Sequence, residues 1–277
     1  MRLIEDGVLD AELAALVWLL LEARLPLVVA GPERALGRRS LAAALLDFLP
    51  PDARTIELAG AVENFEWLPE APELGWRHSR PRPITHVEPP ADPRVAVLLA
   101  TDLAGEGPRA VGSDEARIAL RAVSIGYGMA ATITADGLEG VFERLSTPPV
   151  RLGHDELSRL GVVLVLRRVT RDGGRTPAPR IVAAHYVRPV TRDAQGHVQR
   201  MPPAVLAAYE PRRDELEHFA WGVMAELAAR IGRRRADLER EHDARRAYLA
   251  GLADAAIDGI EEVRSAIRGY RAVGEAV

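Results

Sequence analysis

Gly31 and Gly37 bracket a short loop that follows the apolar run Pro26-Leu-Val-Val-Ala and leads into Arg38-Arg39-Ser40. The order strand, glycine loop, helix aims backbone N–H groups and a helix N-terminus at an anion, commonly phosphate. A loop of this kind that also supports phosphoryl transfer ends in Gly-Lys-Ser/Thr. The lysine reaches the outer phosphates and the hydroxyl holds magnesium. This chain of 277 residues contains no lysine, because all 36 of its basic residues are arginine. The required places read Gly37-Arg38-Arg39, with Ser40 following. A guanidinium is wider than an ammonium and forked, so it does not fill the same slot. A cation at Arg39 repels magnesium and cannot ligate it. Taken alone, residues 31–40 read more readily as an ordinary βα turn than as a relic site.

Two carboxylates stand where such a loop would need them, Glu57 at the end of one strand candidate and Asp102 just past another. The carboxyl ends of parallel strands are where ligand clefts form in open α/β sheets. Surface carboxylates at strand ends are the alternative. The histidines are His78, His86, His154, His185, His197, His218 and His242, and no two show metal-ligand spacing. They read as surface or capping residues. Cysteine is absent, which removes disulfides, thiolate zinc sites and cysteine nucleophiles. Ser40 and Ser124 have no His/Asp arrangement to activate them. A net charge of −4 gives no electrostatic case for nucleic acid. The longest apolar run, residues 13–21, is flanked by Glu12 and Glu22 and is too short to span a bilayer of about 30 Å. It reads as neither a membrane span nor a signal peptide, and a cytoplasmic protein is expected.

The elements that must position these groups follow from periodicity. Asp10 can cap a helix over 11–24, with Leu13, Leu16, Val17, Leu20 and Leu21 at helical spacing. Residues 25–30 read as a buried strand and 40–48 as a helix stopped by Pro50-Pro51. Residues 54–58 and 94–100 read as strands, 113–124 as a helix capped by Ser113, 129–134 as a strand and 138–145 as a helix. Between them, 67–93 is a Pro-rich excursion anchored by Trp67 and Trp76. Residues 161–169 and 180–187 form a hairpin about Asp172-Gly173-Gly174. From about Pro202 the pattern is helix alone, over 213–230, 234–254 and 261–271. The arginines of 233–235 and 245–246 lie among acids and read as a solvated face. Alternating strands and helices predict a mainly parallel sheet covered on both sides, with the hairpin as an antiparallel edge.

In this order the segments resemble the motor ATPases of type II and type IV secretion, including pilus motors and their archaeal relatives. Residues 9–48 are similar to the family's helix, strand, phosphate loop and following helix. Thr55-Ile56-Glu57 resembles the start of its acidic box, Ile-Glu-Asp, and 97–105 lies where the Walker B segment would be. The most specific stretch reads Ser124-Ile-Gly126-Tyr127-Gly128, then Ala131-Thr132-Ile133-Thr134-Ala135, then Arg144-Leu145-Ser146-Thr147-Pro148-Pro149. The family has Ser-Thr-Gly-His, Ala-Thr-Ile-His-Ala and Arg-Leu-Ser/Thr-Pro-Pro there. The tail ending Ile267-Arg268-Gly269-Tyr270 is similar to that of archaeal members.

The resemblance implies a P-loop, RecA-like core over 1–200 and an all-α carboxy-terminal region over 201–277, without the family's separate amino-terminal domain. It implies a degenerate nucleotide site at Gly31, Gly37, Arg38, Arg39 and Ser40, with Asp102 at the Walker B acid and Glu57 in the acidic box. Leu58 replaces the second box acid, and Tyr127 and Thr134 replace the box histidines. With these groups changed together, ATP and magnesium are expected to bind weakly and hydrolysis to be lost. The expected function is a pseudo-ATPase, a structural or regulatory subunit beside an active paralogue or copies of itself, at the inner face of a membrane. The alternatives are a weak ATP-hydrolysing motor subunit and an interaction module docking a membrane platform through its helical tail. Arg38 and Arg39 are expected to pair with Glu57 or Asp102, replacing the charge of magnesium-nucleotide.

Overall fold

The apolar run after Pro26 forms a strand at the middle of the sheet, with every residue of it buried. The computed structural model describes residues 2–33, 37–77, 89–170, 176–193 and 195–274. In chain order the elements begin α1 (Arg2–Glu5), α2 (Ala11–Glu22), β1 (Leu27–Gly31), α3 (Arg38–Leu46), β2 (Arg54–Glu57) and β3 (Ala96–Ala100). There follow α4 (Ser113–Val123), β4 (Gly128–Thr134), α5 (Leu138–Ser146), α6 (His154–Leu157), β5 (Val162–Val169) and β6 (Ala178–Tyr186). The chain continues through β7 (Thr191–Arg192), β8 (Val198–Gln199), β9 (Ala204–Glu210) and β10 (Glu215–His218). It ends with α7 (Met224–Arg230), α8 (Arg235–Asp254) and α9 (Ile260–Gly274).

The strands of the main sheet run in the order β10-β9-β6-β5-β1-β4-β3-β2, and β7 pairs only with β8. From β5 to β2 all neighbours are parallel, while β6, β9 and β10 add on antiparallel. This is the expected α/β architecture, a mainly parallel sheet with helices on both faces. Along β1 the side chains alternate between two cores. Leu27 and Val29 join α2, α8 and α9 on one side, and Val28 and Ala30 join α4, α5 and the excursion on the other. Two-sided burial explains why the strand reads as a continuous apolar run rather than an alternating one.

The carboxy-terminal region departs from expectation. Residues read as helix alone begin with β9 and β10, and α7 starts only at Met224. Glu215-Leu216-Glu217-His218 alternates with a period of two, and the cross-strand pairs from Glu215↔Glu210 to His218↔Ala207 override any helical preference. The helix read as capped by Ser113 has Gly112 at the cap and Ser113 as its first residue. The Asp172-Gly173-Gly174 turn, His78 and His86 lie outside the described residues. The excursion is packed by its aromatics as expected. Trp67 is buried, Phe65 meets Trp76 edge-on at 4.9 Å, and Trp67 meets Tyr127 at 5.4 Å. Buried Glu63 organises this turn, accepting the N–H groups of Ala59 (2.8 Å) and Phe65 (2.8 Å) and of the Trp67 indole (3.3 Å).

Asp10 caps α2 as read, accepting the N–H of Leu13 at 2.9 Å. Its other oxygen lies 2.6 Å from Nε2 of His218 at the end of β10, and Glu12 lies 3.7 Å from Nδ1. Burial alone would lower the His218 pKa. The Asp10 hydrogen bond and the charges of Asp10 and Glu12 overcome it against Arg246, and the net direction is upward. A raised folded-state pKa gives a contribution fully present below the ordinary histidine value of about 6.5 and lost as pH rises through the folded value. The stability of the protein relative to His218→Gln should therefore shrink between about pH 6 and 8, and denaturant melts across that range measure it. An unchanged difference would show that the imidazolium contributes nothing.

Candidate functional site

β1 ends at Gly31 beside Thr134 of β4, and the backbone N–H of Ala135 donates to the Gly31 carbonyl at 3.1 Å. At the far side of the loop Gly37 has φ of 107°, a left-handed conformation that glycine adopts without strain. The chain can thereby turn straight into α3. The helix begins two residues earlier than its apolar pattern suggests, so Arg38 and Arg39 form its first turn, with no acidic residue there. Residues 34–36 lie outside the described residues.

Arg38 turns back under the loop. One of its terminal nitrogens donates to the carbonyl of Gly31, to that of Pro32 at 3.1 Å and to that of Ile133 at 3.4 Å. A guanidinium thus occupies the carboxyl ends of β1 and β4. Burial lowers the Arg38 pKa and Arg144 adds to the effect, while Asp102 and Glu33 oppose it.

Asp102 follows β3 in a left-handed conformation, φ 51°, which non-glycine residues adopt at a cost. Its N–H donates to the Thr132 hydroxyl at 2.8 Å, and its carboxylate accepts the Thr134 hydroxyl at 3.2 Å. The carboxylate also lies over Gly105, where a Cβ would collide with it. Thr134 is therefore a hydroxyl donor to Asp102, and its own carbonyl accepts Arg144 at 2.9 Å.

Arg39 points the other way, to Glu57 at the end of β2, 2.5 Å away. Both side chains are about half exposed, so the pair is worth about 0–1 kcal/mol. It forms one wall of an open cleft of about 510 Å³ lined by Arg39, Glu57, Leu58, Ala59, Thr101 and Arg109. The Thr101 hydroxyl is buried there without a hydrogen-bond partner among the described residues. One expected ion pair therefore forms. Arg38 and Asp102 stand apart from it, linked by charge alone, and Ser40 is exposed and lines no part of this cleft. Leu58 and Tyr127 have joined the core, and the Tyr127 hydroxyl donates to the Ala91 carbonyl at 2.8 Å. Arg109 and Thr101 were not singled out from the sequence, since an arginine in a glycine-punctuated loop carries no local signal.

Among the described residues no group of histidines and carboxylates could hold a metal ion. No described helix is long and apolar enough to cross a membrane.

No protein-family model matches the chain. It is 26% identical over 178 residues to an uncharacterized protein of Methanocaldococcus jannaschii, covering 62% of each chain. The chain therefore spans about three-fifths of that relative's length. Among solved structures it is similar to the VirB11 ATPase of the Brucella suis type IV secretion system in complex with sulphate. That match has TM-score 0.38 and 21% identity, over 59% of this chain and 49% of that one. It is also similar to the Legionella pneumophila ATPase DotB, with TM-score 0.36 and 14% identity, over 65% of this chain and 51% of that one.

Proposed function

We propose that the chain is a secretion-motor ATPase-like protein with a degraded nucleotide site, acting as a structural or regulatory subunit rather than a motor. The remnant site comprises Gly31, Gly37, Arg38, Arg39 and Ser40, with Glu57 and Asp102 as its acids. The observation that carries the reading is Arg38. Its guanidinium donates to the Gly31, Pro32 and Ile133 carbonyls, placing a tethered cation inside the loop where nucleotide charge would lie. Phosphoryl transfer depends on positioning and on metal-assisted charge neutralisation. Here the metal-ligand place is a guanidinium already bound to Glu57. Partners on this reading are an active paralogue or further copies of the chain, and a membrane platform protein, on the cytoplasmic side.

The open cleft favours a second reading, a weak ATP-hydrolysing subunit. Arg39, Arg109 and the unpartnered Thr101 hydroxyl could receive phosphate oxygens. A ligand that binds only the native state raises the melting temperature by mass action. On the first reading, millimolar magnesium-ATP leaves the melt of this protein unchanged while shifting that of an active family member. A shift with measurable phosphate release would establish the second reading instead.

A further inference from the structure

Helices α2, α8 and α9 meet around the fully buried ring of Trp18. The Arg245 guanidinium of α8 lies 4.5 Å from the centre of that ring, and the Arg271 guanidinium of α9 lies 5.8 Å from it. Both hold the same carboxylate, Glu22 at the end of α2. Arg245 meets one oxygen at 2.6 Å, and Arg271 meets the other. Beyond Glu22, one oxygen of Glu241 serves two cations, Arg233 and, at 3.6 Å, Arg245. Three guanidiniums therefore share two carboxylates, and no further acid lies within ion-pair distance of them among the described residues. The Arg245 and Arg271 side chains are only 9% and 11% exposed. Three of their nitrogens, Nη1 of Arg245 and Nε and Nη1 of Arg271, are closed to solvent and have no hydrogen-bond partner among the described residues. A water molecule can accept from such donors but carries no charge. A buried positive charge in excess of its acids calls for a counter-ion, and the face of Trp18 offsets only part of it.

We propose that Arg245 and Arg271 hold a small monovalent anion of chloride size. The excess of one positive charge sets its valence. The closed surroundings of the three free donors set its size, and they exclude a nucleotide or a phosphate ester. Guanidinium N–H groups point outward in a fixed fork, so donors not used by Glu22 remain aimed away from it. The anion completes the clasp that fastens α8 and α9 to α2, and its effect is on the stability of the chain. The inference does not depend on whether nucleotide binds at the loop.

The test follows thermal melts of the full chain as sodium chloride replaces sodium gluconate at constant ionic strength. Chloride at about 300 mM should raise the melting temperature by at least about 2 °C, with saturation, because an ion that binds only the native state stabilises it by mass action. Arg245→Met leaves Arg233 and Arg271 against Glu22 and Glu241, a balanced set, and should abolish the rise. The combination Glu22→Ala, Arg245→Met and Arg271→Met removes donors and acid together and should abolish it too, which guards against misfolding of the single variant. In crystals grown with bromide, an anomalous peak should lie within about 4 Å of Nη1 of Arg245 and of a nitrogen of Arg271. The proposal is overturned by melts that do not respond to chloride, by an equal rise in the triple variant, or by no bromide between the two arginines. It is also overturned if the response appears only after truncation behind Gly274, since Glu275 would then supply the missing charge.

Discussion

Glu22→Ala should destabilise the protein by about 3–5 kcal/mol, the cost of leaving a buried charge without its partner. Glu22 closes α2 and holds two arginines from the carboxy-terminal helices. Its oxygens lie 2.6 Å from Arg245 of α8 and in contact with Arg271 of α9, and it accepts the Trp18 indole N–H at 2.8 Å. The Glu22, Arg245 and Arg271 side chains are 16%, 9% and 11% exposed. Trp18 is fully buried between them, stacked on Phe48 at 5.2 Å, with the Arg245 guanidinium 4.5 Å over its ring. Three donors of this cluster, Nη1 of Arg245 and Nε and Nη1 of Arg271, already lack partners among the described residues. Removing the carboxylate therefore leaves Arg245 with Glu241 at 3.6 Å and Arg271 with the Phe48 carbonyl, too little to offset their desolvation. Adding Arg245→Met and Arg271→Met to Glu22→Ala should recover most of the loss, since well-packed apolar groups replace buried ion clusters at little cost. Denaturant melts of the single and triple variants decide it. A loss below about 1 kcal/mol for the single change would mean that water already neutralises the cluster.

A chain truncated after Pro203 should lose its cooperative unfolding transition altogether. The strand β9, which begins at the next residue, pairs with β6 from Ala183↔Ala208 to Tyr186↔Ala204. Without it, β6 becomes an uncovered edge. The face of α2 also loses Leu238, Leu249 and Leu252 of α8, which share its core. Truncation after Asp258 removes only α9 and should leave a cooperative but weakened transition. The comparison tests the division at residue 200 directly. An independently folding unit over 1–200 would melt cooperatively in both truncated chains, and the shorter one melting as sharply as the longer would show that β9 and α8 are not needed for it.

Legibility varied along the chain for identifiable reasons. Elements buried on both faces, such as α2 and β1, announced themselves as apolar runs because nothing about them is solvated. The apolar pattern places the start of α3 at Ser40, two residues late, because its first turn carries Arg38 and Arg39, which follow Gly37 and, for Arg38, meet acceptors at the ends of β1 and β4. The stretch from about Pro202 reads as helix alone, with a helix over 213–230, because the alanine-rich and acidic segments that form β9 and β10 have no strong strand preference until a neighbouring strand pairs with them. Arg245 was read as part of a solvated face, and its burial on Trp18 joins residues too distant in sequence for any local pattern to reveal.

Taken by itself, the order of residues determined the strand–loop–helix frame, the run Arg38-Arg39-Ser40 after Gly37 in a chain without lysine, and the placing of Glu57 and Asp102 at strand ends. These are local properties, set by residue type and by period. Only the tertiary structure decided what these residues do. Arg38 turns into the strand ends, Arg39 takes Glu57, and Thr134 serves Asp102, while Tyr127 lies in the core and Leu58 is buried at the floor of the cleft. Each of those outcomes depends on which strands lie side by side. The parallel neighbours β4 and β5 of β1 are brought together by long crossovers that no short stretch of sequence encodes.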